Sequence, residues 1–252
     1  MEFAGQVVLV TGASRGIGRA VAVRFAEQGA RVAVHYRAAE AAAAATLASL
    51  AGDGHASFRA DLAEPEAGAA LAGDVMAAFG PIDVLVNNAG IYEPHPVLGT
   101  TPDEWRRAWR RTIDTNLLGP ANLIHAVVPH MVAAGGGRIV NVSSRGAFRG
   151  EPDHPAYGAS KAGLNSLGQS LARALAPHGI YVTTVAPGYV ETDMAEADLS
   201  GPGGDAIRAQ SPMGRVATAD EVARVVVFLA SPGAESTTGT VVDVNGASYL
   251  RS

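Results

Sequence analysis

The sequence predicts an α/β fold: one doubly wound domain over residues 1–252, with about seven parallel strands and helices on both faces. Three observations carry this expectation. Short β-branched runs alternate with longer Ala-rich segments along the chain, the pattern of right-handed crossovers between parallel strands. The short runs are continuously apolar rather than alternating, as in strands covered on both sides. A glycine-rich turn joins the first run to the first helical segment, where open sheets of this class bind ligands.

Taken in order, the first strand is Val-Val-Leu-Val at 7–10, reached within six residues and with no basic segment before it. It reads as a strand and not as a signal peptide. A helix over 18–28 opens from the glycine turn, followed by a strand at 31–35 and a helix at 39–50. The run Glu40-Ala-Ala-Ala-Ala-Ala45 inside that helix is the best helix former repeated, not low complexity. Strands then fall at 55–59, 83–86, 138–142, 181–185 and 240–244, with helices at 64–79, 102–134, 157–176 and 219–229. The non-periodic stretch 191–213, which contains Gly201-Pro-Gly-Gly204, reads as a flexible substrate loop (about 190–213) over a site.

Composition narrows the function. With 48% hydrophobic and 17% charged residues, the chain can bury a large core and is not disordered. A net charge of −5 without a basic run argues against nucleic acid and anionic membranes as partners. The absence of cysteine excludes disulfides, thiolate catalysis and cysteine metal sites; no metal site is expected. No apolar stretch reaches membrane-spanning length, so a cytoplasmic protein is expected.

In Thr11-Gly-Ala-Ser-Arg-Gly-Ile-Gly18, Gly12 permits a tight turn, Gly16 a close backbone approach to a pyrophosphate, and Gly18 close packing of helix on strand. Phosphates would sit on the N-terminus of the following helix. The spacing is neither G-x-G-x-x-G nor a lysine-bearing phosphate loop. The second conspicuous feature is Lys161, the only lysine in a chain whose other basic residues are arginines. It lies four residues after Tyr157, with small Gly158, Ala159 and Ser160 between, so both can project from one helix face. A phenol ionises near pH ~10, too high for acid–base work at neutral pH, and an adjacent ammonium lowers that value.

Together with Asn87-Asn-Ala-Gly90, Asn116, Ser144 thirteen residues before Tyr157, and Pro187-Gly188, these motifs resemble the short-chain dehydrogenase/reductase family. The likeness runs in order from Gly12 to Asn245-Gly246 and is greatest to 3-oxoacyl-carrier-protein reductase-like members. It implies a Rossmann fold and hydride transfer between a ketone and a secondary alcohol. Tyr157 would be the acid or base, and Lys161 would lower its pKa and hold the nicotinamide ribose. Ser144 would hold the substrate oxygen, with neighbouring Ser143 supporting the turn, and Asn116 would position Lys161 through a water. The cofactor would lie against Gly12, Ser14, Arg15, Gly16, Ile17, Gly18, Tyr36, Arg37, Asp61, Leu62, Asn87, Asn88, Ala89, Gly90, Tyr157, Lys161, Pro187, Gly188, Val190 and Thr192.

The second strand ends His35-Tyr-Arg37, without the carboxylate that holds a free ribose 2′-hydroxyl. Arg15 and Arg37 suit a 2′-phosphate instead, which favours NADP(H), with NAD(H) as the alternative. The partner is a small carbonyl or alcohol substrate. Carrier-protein docking stays open: Ala133–Gly137 and Pro177-His178 carry no permanent charge, leaving Arg145 and Arg149 as substitutes. The family implies a homotetramer through helices 103–134 and 157–176, and through 246–252. Trp105 and Trp109 at i, i+4 read as a packed helix face. The alternative functions are a non-catalytic nucleotide sensor on the same fold, or an NAD-dependent alcohol, sugar or steroid dehydrogenase.

Overall fold

The computed structural model describes residues 1–251. Its strands are β1 (Val7–Val10), β2 (Arg31–Tyr36), β3 (Ala56–Arg59), β4 (Val84–Asn87), β5 (Gly137–Val142), β6 (Ile180–Pro187), β7 (Val190–Glu191), β8 (Ala217–Thr218) and β9 (Val241–Val244). The helices are α1 (Gly16–Glu27), α2 (Glu40–Ala48), α3 (Ala67–Phe79), α4 (Pro102–Ile113), α5 (Gly119–Ala133), α6 (Gly146–Arg149), α7 (Pro155–Leu175), α8 (Glu196–Ser200), α9 (Gly204–Ala209) and α10 (Ala219–Ala230). Seven strands pair in parallel in the order β3-β2-β1-β4-β5-β6-β9. Strands β7 and β8 pair only with each other.

Successive side chains of a strand face opposite ways, so each inner strand feeds two cores. Leu9 aligns with Ala33 and Leu85, Leu85 with Ile139, and Ile139 with Val182. That row packs under α3, α5 and α7. The adjacent row, Val34, Val10, Val86 and Val140, packs under α1 and α10. The outermost strands β3 and β9 are only half-buried, so coverage on both faces holds for the inner strands alone.

Two of the expected elements differ. The expected helix over 102–134 is α4 and α5 separated by a π-helical stretch at Asp114–Leu118. Pro120 lacks the N–H that a regular helix would donate to Asn116, and a Cβ on Gly119 would lie 2.6 Å from the Leu62 carbonyl. The widened turn carries Asn116 into the interior, fully buried. The expected flexible loop at 191–213 contains α8 and α9, which are too short to show a 3.6-residue period in the sequence.

The glycine turn between β1 and α1 is held from the neighbouring strand. Gly12 and Gly16 both have positive φ, +64° and +55°. The Gly12 N–H donates to His35 Nδ1 at 3.1 Å, and His35 Nε2 lies 3.1 Å from the Ala60 carbonyl. One neutral imidazole, protonated on Nε2, therefore ties the turn to β2 and to the end of β3. Burial pushes its pKa down to about 4, against the opposing pull of the Ala60 bond and the Asp61 charge. The unfolded chain takes up this proton below about pH 6.5, while the native state resists it to about 4. Native stability is thus lost as the pH falls through that window, by about 3 kcal/mol if the whole shift is realised. Urea unfolding of wild type and His35→Asn at pH 7 and pH 4.5 should show the stability gap closing on acidification. A gap unchanged with pH would exclude this role.

Candidate active site

A cavity of about 340 Å³ opens at the carboxyl ends of the strands, beside β1, where the sheet order turns from β2 on one side to β4 on the other. This is where an open parallel sheet binds its ligand. One half is built by the glycine turn. Gly12, Ser14, Arg15, Gly16 and Ile17 line it, with Tyr36, Arg37, Ala38 and Ala39 from the end of β2. No carboxylate lies at that strand end. Helix α1 has no side-chain cap and no acidic residue in its first turn, so its free N–H groups and dipole face the cavity as an anion site. The phosphates of a dinucleotide suit this half.

A polar zipper holds the opposite wall. Thr11 Oγ accepts the N–H groups of Asn88 and Ala89 at 2.9 and 3.0 Å, and Asn88 Nδ2 donates to the carbonyls of Thr11 and Gly12. A Cβ at Gly18 would fall 2.3 Å from the Gly12 carbonyl, so Gly18 serves packing and does not line the cavity. Pro187, Gly188, Val190 and Thr192 close the cavity over the turn, and Gly16 leaves the room that Thr192 Cγ2 needs.

Three further residues expected against the cofactor lie off the cavity lining. Asn87 is buried and pairs with Asn141 at 3.0 Å in the sheet. Leu62 lies in the core, and Asp61 Oδ1 accepts the Ala63 N–H at 3.1 Å; neither lines the cavity. The turn after β3 uses the aspartate to satisfy its own backbone.

In the other half, Ser144 follows β5, and Tyr157 and Lys161 project from α7. The Ser144 hydroxyl is near enough to the phenol to pull the Tyr157 pKa down, and Ser144 Oγ accepts the Gly146 N–H at 3.0 Å. Ser143 instead donates to the Lys161 carbonyl and supports α7. Lys161 Nζ lies 5.7 Å from the Tyr157 ring centroid and donates to the Val142 carbonyl at 2.8 Å. Asn116 grips Ile91 through both its N–H and its carbonyl, at 2.9 and 3.0 Å. It touches Ser160 rather than Lys161, so it shapes the wall beside the lysine.

Burial is the largest influence on the pair: it pushes the phenol up to about 12, outweighing the opposing pull of the Ser144 hydroxyl, and it pulls Lys161 down to about 8. A desolvated pair disfavours both charges.

The outer wall adds Tyr92, Arg145 and Glu151, which were not among the expected catalytic or cofactor-binding residues. Tyr92 stacks on His154 at 3.6 Å and meets the Tyr157 ring edge-on at 4.8 Å. Burial and nearby acids raise the Tyr92 pKa. The Glu151 carboxyl is also raised, by burial, against the pull of Arg149 and Arg145. Arg145 is 3% exposed, donates to Ser248 and Gln210 at 2.6 and 2.7 Å, and lies over Tyr189. It clamps the 191–213 segment and cannot serve as a docking cation at the surface. Their sequence signal was adjacency, of Tyr92 to Asn87–Gly90 and of Arg145 and Glu151 to Ser144 and Tyr157. Among the described residues no His/Asp/Glu group could hold a metal ion, and no helix is long and apolar enough to cross a membrane.

Comparison with known proteins places this arrangement. A family model described as enoyl-(acyl carrier protein) reductase matches residues 12–247. The chain is 40% identical to a 3-oxoacyl-[acyl-carrier-protein] reductase of Staphylococcus aureus over 244 residues, covering 96% of this chain and 97% of that one. It is 38% identical to the protein of that name from Salmonella typhimurium over 250 residues, covering 99% and 100%. A crystal structure of a dehydrogenase/reductase from Sinorhizobium meliloti superposes with a TM-score of 0.89 at 33% identity, covering 99% of this chain and 97% of the other. With its seven-stranded parallel sheet and these matches along nearly its full length, the chain belongs to the short-chain dehydrogenase/reductase family of NAD(P)-dependent oxidoreductases.

Proposed function

We propose that the protein is an NADP(H)-dependent reductase of a ketone, with a 3-oxoacyl thioester as the substrate class suggested by its relatives' names. The observation that carries this is the Ser144–Tyr157 hydroxyl pair with Lys161 beside the ring, in a cavity continuous with the glycine turn. Two neighbouring hydroxyls lining one cavity suit a carbonyl oxygen. This favours the carbonyl chemistry in the relatives' names over the carbon–carbon double bond named by the family description.

A bound reduced nicotinamide supplies the hydride. Tyr157 gives its proton to the substrate oxygen, while Ser144 hydrogen-bonds the same oxygen and holds it within reach. Lys161 keeps a positive charge beside the phenol as it becomes phenolate, which offsets the cost of ionising it in a dry site. Gly12, Gly16 and the first turn of α1 would hold the pyrophosphate, and Arg15 and Arg37 a 2′-phosphate. Both arginines are exposed at the cavity mouth. We also propose a homotetrameric, cytoplasmic enzyme, on family grounds.

Tyr157→Phe should lower kcat on the order of 10²- to 10⁴-fold with NADPH affinity retained. Lys161→Arg keeps the charge, but a guanidinium fork cannot take the place of a compact ammonium. It should stay folded and lose most activity; near wild-type turnover would refute the role. Removing Arg15 and Arg37 together should weaken NADPH binding roughly tenfold per arginine, about 1.4 kcal/mol each, and leave NADH nearly unchanged in a fluorescence titration. Equal losses for both cofactors would refute the NADP(H) assignment. Ketone reduction needs protonated Tyr157 and charged Lys161, so it should hold at neutral pH and fall above about pH 8, where Lys161 loses its proton.

A further inference from the structure

We propose that His95 is a positioning residue for Tyr157, capping the first turn of α7 from across the cavity wall; this rests on Tyr157 being the proton donor. The observation is a buried N–H that its own helix leaves unclaimed. In the first turn of α7, Pro155 has no N–H, and the N–H groups of Tyr157 and Gly158 reach the His154 carbonyl. His154, at the N-cap position, gives no side-chain cap. That leaves Ala156, fully buried and adjacent to Tyr157. Its N–H donates to His95 Nε2 at 3.1 Å.

His95 is held from the other side. It is 2% exposed, its Nδ1 lies 2.8 Å from the Glu93 carbonyl, and its own N–H donates to the Asp153 carbonyl at 2.7 Å. These contacts select one form, a neutral ring protonated on Nδ1 with Nε2 free to accept. A doubly protonated ring would lose the acceptor and set a cation against the positive end of the helix.

The consequence reaches the phenol directly. The strap Ile91–His95 is anchored at Ile91 by Asn116 and at His95 by α7. Between them, Tyr92 stacks on His154 and meets the Tyr157 ring edge-on. The strap therefore fixes both the backbone beside Tyr157 and one side of its ring. Releasing the cap frees the first turn of α7, and with it the aim of the phenol at the substrate oxygen.

The test compares His95→Phe, which keeps a ring but no acceptor, with His95→Gln, whose Oε1 can replace Nε2. His95→Phe should lower kcat at least tenfold, with KM and the NADPH dissociation constant within about twofold of wild type. His95→Gln should recover most of kcat. In the cofactor-free protein, hydrogen exchange in peptide 153–160 should be faster in His95→Phe and near wild type in His95→Gln. Unchanged kcat and exchange in His95→Phe would overturn the proposal, as would Phe and Gln variants impaired alike. A wild-type measurement stands independently of variant folding: imidazole ¹⁵N shifts must show His95 protonated on Nδ1, and the opposite tautomer overturns the proposal. Should Tyr157→Phe retain full turnover, the proton-donor reading fails, whereas the exchange and ¹⁵N results still decide the cap.

Discussion

The site is organised around a buried ammonium. Lys161 is 4% exposed, and its Nζ has one protein acceptor, the carbonyl of Val142 at the end of β5. Taking a cation out of water is costly, and burial draws the Lys161 pKa down to about 8. Arg145, 3% exposed, bears a similar cost, but Lys161 bears it at the centre of the site. Around it are the end of β5, the first turns of α7, the Asn116 turn and Gly90, whose added Cβ would lie 3.5 Å from Nζ. The other basic side chains are arginines, whose planar guanidinium fork does not reproduce a compact ammonium. Tyr157, Gly90 and the π-helical turn that carries Asn116 all border this group.

Neutral imidazoles do much of the local bracing. His35 accepts from Gly12 and faces Ala60, while His55 accepts from Val32 and faces Ala51. His95 does the same between Ala156 and Glu93. In each case one ring nitrogen takes a backbone N–H and the other lies against a carbonyl. A single side chain thereby joins segments that regular secondary structure leaves unpaired. Two of these brackets border the cavity, at the glycine turn and at the head of α7. There the backbone bends too sharply to satisfy itself, and an unmet buried N–H costs about 1–3 kcal/mol.

How much of this could be read in advance differed by element. The inner strands announce themselves because both faces are buried and most positions are apolar. The glycine turn does so because Gly12 and Gly16 need positive φ and Gly18 needs contact with the Gly12 carbonyl. The π-helical break was less visible, since one added residue barely disturbs the apolar period, although Pro120 was a signal. The helices of the 191–213 segment were hidden by their brevity. Asp61, Leu62 and Asn87 matched family motifs, yet their side chains serve a turn, the core and the sheet.

The sequence by itself determined the sheet, the glycine turn, and the placing of Tyr157 and Lys161 on one helix face. Those features depend on local spacing, backbone freedom and apolar pattern, which are written residue by residue. Only the tertiary structure decided that burial would raise the Tyr157 pKa and lower that of Lys161. It also decided that Arg145 would turn inward to Ser248 and Gln210, and that His95 would cap a helix 61 residues further along the chain. These outcomes depend on solvent exclusion and on partners distant in the chain, and neither is set until the strands and helices have packed.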